Sequence, residues 1–137
     1  KLTWLHEWAR LARLPLNFPT EHHPVKSVLA MRVCCALESD QPTLHRFSHA
    51  AFSAYFAEGE NIDAPEVLIK VAEQCRLDGQ ALVEQTANQQ IKDQLRANTE
   101  EAIERGAYGS PTMFVGDMLY FGNDQLPLVN QALCANS

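Results

Sequence analysis

Gly106-Ala107-Tyr108-Gly109-Ser110-Pro111-Thr112-Met113-Phe114-Val115-Gly116-Asp117-Met118-Leu119-Tyr120-Phe121-Gly122-Asn123-Asp124 decides the fold. Before it the apolar residues recur at helical spacing. Within it the period changes. Thr112–Val115 and Met118–Phe121 are two short runs rich in β-formers, separated by Gly116-Asp117, a two-residue hairpin turn. Gly122-Asn123-Asp124 then leads into a last helix carrying Leu126, Val129 and Leu133.

Upstream the chain reads as helices. Residues 2–13 place Leu5, Trp8, Leu11 and Ala12 on one face. Pro15 and Pro19 exclude a continuing helix and predict a short extended piece over 15–18, followed by a polar loop over 20–24. Residues 25–38 are apolar on nearly every side, which predicts a central, covered helix. Ser39 or Asp40 can cap the next helix, which tolerates Pro42 in its first turn, buries Leu44, Phe47, Ala51 and Tyr55, and ends at Gly59. Asp63-Ala64-Pro65-Glu66 reads as a helix start capped by Asp63. Asp78 opens a short helix. Another runs from about Gln89 to Arg105, with Ile91, Leu95, Ala102 and Ile103 inward, and Gly106 stops it. A lone hairpin is marginal in water, and only residues 15–18 offer a further strand. A β-containing unit is therefore expected outside these residues. The chain starts on Lys1-Leu2-Thr3-Trp4, without Met or a polar lead-in. We expect a start inside a longer protein, and no signal peptide.

Composition narrows the function. The net charge of −6 argues against a broad electrostatic grip on nucleic acid or on an anionic membrane. No apolar run approaches the length of a bilayer crossing. The four cysteines, Cys34, Cys35, Cys75 and Cys134, contain no C-x-x-C. Adjacent residues on a helix point about 100° apart, so a Cys34–Cys35 disulfide is not expected, and reduced, mostly buried thiols of a cytoplasmic protein are. His45 and His49 stand one turn apart, without a third ligand or the Glu of H-E-x-x-H, so no metal site is expected. His22-His23 face either a cleft or solvent. Asn98 and Thr99 read as satisfied core polar groups. Arg32, on a very apolar helix, either pairs with a carboxylate or anchors an anion.

Two stretches carry a family resemblance: Arg105-Gly106-Ala107-Tyr108-Gly109-Ser110-Pro111-Thr112 and Phe121-Gly122-Asn123-Asp124-Gln125-Leu126. They resemble the R-G-x-x-G-x-P-T and F-G-x-D-R-L motifs of the DsbA-like, kappa-class glutathione transferase and 2-hydroxychromene-2-carboxylate isomerase group. Residues 91–102, Tyr55–Ile62 and Ala30-Met31-Arg32 also look like that group, and the likeness covers essentially the whole chain. It implies an α/β, thioredoxin-like fold with a large all-helical insertion. Residues 1–105 would be the helical insertion with its connecting segments, and 106–137 the C-terminal ββα part. It further implies a β-α-β unit of about 30 residues or more ahead of Lys1. In the isomerases and kappa-class transferases that unit carries a catalytic serine, and in the disulfide oxidoreductases it carries C-x-x-C, so no catalytic residue is expected within these 137.

The resemblance implies glutathione as cofactor. Ser110-Pro111 would form a cis-proline loop offering the Ser110 backbone to the cysteinyl part, as a short strand would. Phe121, Gly122, Asn123 and Asp124 would receive the γ-glutamyl end, with free N–H groups for its carboxylate and Asp124 for its ammonium. The alternative for Asn123 and Asp124 is plain helix capping. Departures from the family pattern cluster around the substrate: Trp4 and Glu7 stand where many isomerases have Asp and Arg, Lys26 where they have Asn, and Gln125 where a basic residue is usual. The implied activity is cis–trans isomerisation of a conjugated aromatic keto acid, a small-molecule substrate, by a homodimer without nucleic-acid or membrane partners. A kappa-type transferase, a DsbA-like thiol–disulfide oxidoreductase and a non-enzymatic glutathione-binding remnant are the other readings.

Overall fold

A computed structural model describes residues 2–136. The elements run α1 (Leu2–Ala12), α2 (Val28–Ala36), α3 (Gln41–Phe56), α4 (Pro65–Gln74), α5 (Gly79–Gln85), α6 (Gln89–Glu104), β1 (Thr112–Val115), β2 (Met118–Phe121) and α7 (Leu126–Ala135), with a 3-10 turn at Asn123–Gln125 before α7. The chain divides into two compact units, Lys1–Leu95 and Arg96–Ser137, and the division falls inside α6.

The first unit is helical. Phe47, Leu68, Val33 and Val71 are its largest fully enclosed side chains. They join Ala30, Leu37, Ala51, Ala54, Ala72 and Leu82 in a core drawn from α2 to α5. Asp40 caps α3: its carboxylate accepts the Thr43 N–H at 3.2 Å and the Thr43 hydroxyl at 2.6 Å. Asp78 does the same for α5 through the Ala81 N–H. The Thr43 hydroxyl, then the Thr43 N–H, hold the Asp40 carboxyl below its ordinary value. A lowered folded pKa contributes stability that is complete above the unfolded carboxyl pKa, about 3.9, and is lost as pH falls through the folded value. Asp40→Asn, which still accepts from Thr43, is expected to flatten the acid limb of a stability-against-pH curve. Parallel urea melts from neutral to acid pH check this, and superimposable limbs would remove Asp40 from the titration.

Several sequence expectations need correction here. Residues 15–18 form no strand. Pro15 and Pro19 lack the N–H groups a ladder needs, and Asn17 instead donates its N–H to the Phe56 carbonyl at 2.7 Å. Helix α2 spans Val28–Ala36 rather than 25–38, and one face is uncovered, with Val28 49% and Met31 46% exposed. Helix α4 is capped by Ala64 without a side-chain bond, because Asn61 Oδ1 takes the Asp63 N–H in a local turn. The apolar face of α1 lies largely open among the described residues, with Leu11 69% exposed; on α6, Ile91, Leu95 and Ala102 are half-buried but Ile103 is 66% exposed, and Thr99 is exposed rather than buried.

In the second unit, β1 and β2 form a two-stranded antiparallel sheet with Thr112 opposite Phe121 and Val115 opposite Met118. This is the register a two-residue turn at Gly116-Asp117 imposes. Arg105, at the end of α6, donates to the Gly116 carbonyl at 3.0 Å and lies 4.0 Å from the centre of the Phe114 ring. One side chain thus ties the helix end to the hairpin tip.

Candidate functional site

The register sets the site. Once Thr112 opposes Phe121, the residues just outside the sheet are Pro111 and Gly122, and they meet: the Gly122 N–H donates to the Pro111 carbonyl at 2.9 Å. The proline loop and the Gly122-Asn123-Asp124 turn, eleven residues apart in sequence from Pro111 to Gly122, are thereby one feature at one end of the hairpin. The Ser110–Pro111 peptide is cis. The Thr112 hydroxyl donates to the Gly109 carbonyl at 2.5 Å and pins the loop from within. The Tyr108 and Phe121 rings pack at 4.6 Å between centroids.

The groups left open here are polar. Ser110 is exposed, and its backbone N–H and C=O make no hydrogen bond among the described residues. The Asn123 and Asp124 N–H groups are likewise free, as the first donors of a helical turn generally are. Their side chains are exposed and unbonded, and neither caps a helix. The α-helix begins only at Leu126, after the 3-10 turn, with Gln125 at its cap position and no side-chain cap bond. Capping therefore does not occupy the Asp124 carboxylate. Gly122 makes the turn possible: φ +102° and ψ 151° lie in a region that only glycine enters readily.

An extended stretch of free N–H and C=O, two further N–H donors and one free carboxylate match a zwitterionic peptide. Groups of this kind can pair with a peptide main chain, with a carboxylate and with an ammonium. The six residues read from the sequence, Ser110, Pro111, Phe121, Gly122, Asn123 and Asp124, all lie in this one feature. Sequence reasoning gave no role to Tyr108 and Thr112, which hold the proline loop, or to Arg105, which acts at the other end of the hairpin. An aromatic two residues before Ser110 was a usable signal for Tyr108, and nothing in the sequence pointed to Arg105 reaching Gly116.

A family model described as a DSBA-like thioredoxin domain matches residues 2–134. The chain belongs to this family. Among DSBA-like thioredoxin-domain proteins it is 27% identical over 129 residues to a 2-hydroxychromene-2-carboxylate isomerase of Pseudomonas putida, covering 94% of this chain and 62% of that protein. It is also 27% identical to human glutathione S-transferase kappa 1, covering 88% of this chain and 59% of the transferase. A solved 2-hydroxychromene-2-carboxylate isomerase superposes with a TM-score of 0.82 at 27% identity, over 97% of this chain and 64% of that one. The chain thus spans about three fifths of the length of the relatives it matches. The thioredoxin-like α/β assignment holds, for a chain that is itself mostly helical with a small two-stranded sheet and a C-terminal helix.

The remaining candidates lie elsewhere. None of the four cysteines forms a disulfide among the described residues; Cys34, Cys35 and Cys75 are half-buried and Cys134 is exposed, so the expectation of mostly buried thiols does not hold. Burial pushes the Cys34 and Cys35 thiols up, and for Cys35 the Glu38 carboxylate adds to it. Neither is poised as a thiolate. His23 Nδ1 lies 2.8 Å from the buried Tyr55 hydroxyl, in an aromatic cluster with Phe18. His22 and His23 border an open cleft of about 320 Å³ with Lys26 and Asp63. The His45 and His49 rings are 6.4 Å apart, and no group of three metal-ligating side chains occurs among the described residues. Nor is any described helix long and apolar enough to cross a membrane.

Proposed function

We propose that the whole protein is a glutathione-dependent cis–trans isomerase of the 2-hydroxychromene-2-carboxylate type, and that Ser110, Pro111, Phe121, Gly122, Asn123 and Asp124 hold the glutathione. One observation carries this reading: the Gly122–Pro111 hydrogen bond joins two motifs whose free donors and free carboxylate match the two charged groups and the peptide backbone of glutathione. When bound, glutathione supplies a thiol that adds reversibly to a conjugated carbon and lets the adjoining bond rotate. Ser110 pairs its N–H and C=O with the cysteinyl residue and sets its direction. The Asn123 and Asp124 N–H groups bind the γ-glutamyl carboxylate, and Asp124 fixes the ammonium. The Phe121 ring, 39% exposed, packs against Tyr108 beside the proline loop. A serine that favours the thiolate, a cytoplasmic location and a homodimer belong to the same proposal. The substrate is a small conjugated aromatic carboxylate.

Asp124→Ala tests the cradle. A charge-assisted contact is worth about 1.5–3 kcal/mol, so glutathione affinity measured by calorimetry is expected to fall at least about tenfold. Unchanged affinity would remove Asp124 from the site. A kappa-type transferase is the second reading, favoured by the likeness to the human enzyme. It uses the same cradle. Turnover of a conjugated aromatic keto acid without net consumption of glutathione separates the two.

A further inference from the structure

Arg32 is the unexplained cation of the helical unit. It sits in α2, whose Ala30 and Val33, with Leu37 at its C-cap, point into the core. At 100° per residue, Val28, Met31, Arg32 and Cys35 share the opposite side, and of these Val28 and Met31 are roughly half exposed. Arg32 Nε is buried without a hydrogen-bond partner, and no ion pair among the described residues includes Arg32. A desolvated guanidinium donor left unpaired is unfavourable. No carboxylate of the described chain relieves it.

We propose that Arg32 is a specificity-determining residue that binds the carboxylate of an aromatic acid, with Val28 and Met31 as the apolar shelf for its ring. The fork of Nε and Nη matches a carboxylate in two parallel hydrogen bonds. A carboxylate that draws this fork from its unsatisfied position gains the bonds and removes the penalty of the orphaned Nε. Apolar side chains one turn apart beside a cation suit a flat ring bearing an acid group better than a peptide or a phosphate. The inference rests on the substrate class of the reading above and not on the glutathione cradle.

The test uses salicylate as the probe, salicylamide as its uncharged counterpart, and NMR of the arginine Nε–H group. Salicylate is expected to shift the Arg32 Nε–H resonance saturably, and salicylamide to leave it in place. Arg32→Gln is expected to lower salicylate affinity at least tenfold, and Arg32→Lys, which keeps the charge but loses the fork, by an intermediate factor. Glutathione affinity should be unchanged in both. An Nε–H resonance already in the hydrogen-bonded shift range without ligand would show a partner within the protein and overturn the proposal. So would equal salicylate affinity in the wild type and Arg32→Lys. Should Arg32→Gln fail to fold, the wild-type titration and Arg32→Lys still decide. Loss of glutathione binding in the wild type would sink the cradle and leave this result standing.

Discussion

Phe47→Ala is expected to destabilise the helical unit by about 3–5 kcal/mol, the range for deleting an enclosed aromatic ring. Phe47 is fully buried on α3, in the same core as Val33 of α2 and Leu68 and Val71 of α4. Removing the ring loses its transfer from water and leaves a cavity lined by three helices, whose backbones can close it only partly. Single domains are stable by only about 5–15 kcal/mol, so this is a large fraction of the total. Urea unfolding followed by far-UV circular dichroism reads the loss as a fall in midpoint at an unchanged slope. A loss below about 1 kcal/mol would mean that the ring is not part of the core.

Gly122→Ala is expected to disable the proposed cradle more completely than any single side-chain deletion within it. Two effects add. The backbone angles at Gly122 cost an L-residue about 1–3 kcal/mol. A Cβ there would also stand 2.6 Å from Asp124 Oδ1, so the carboxylate must move. Glutathione affinity should fall at least as far as in Asp124→Ala, tenfold or more, with a lower melting temperature. Gly116→Ala is the control. Its φ of +59° also disfavours an L-residue, by about 1–2 kcal/mol, but a Cβ there meets open space at the far end of the hairpin. It should lower stability and leave glutathione affinity alone. Equal binding by wild type and Gly122→Ala would break the link between turn geometry and ligand.

Most elements were legible because their signals are local. Both strands, the Gly116-Asp117 turn and the caps at Asp40 and Asp78 fall where short-range rules place them. The failures share a cause. The piece at 15–18 looked like a strand, yet its one backbone bond to Phe56 is non-local. Asp63 looked like a cap, but Asn61, two residues before it, makes the turn. Helix α6 formed where its pattern put it, although Ile103 is exposed, because periodicity identifies a face and not what covers it.

By itself the sequence determined the hairpin and its two-residue turn, and the resemblance of its motifs supplied the six residues that the structure finds at its open end. Only the tertiary structure decided that Asp124 caps no described helix, that Arg105 reaches Gly116, and that Arg32 Nε has no acceptor among the described residues. The physical reason is range. Turn chemistry and strand period act between neighbours in the chain, whereas the use of a charged side chain depends on which distant groups the fold brings within about 3 Å of it.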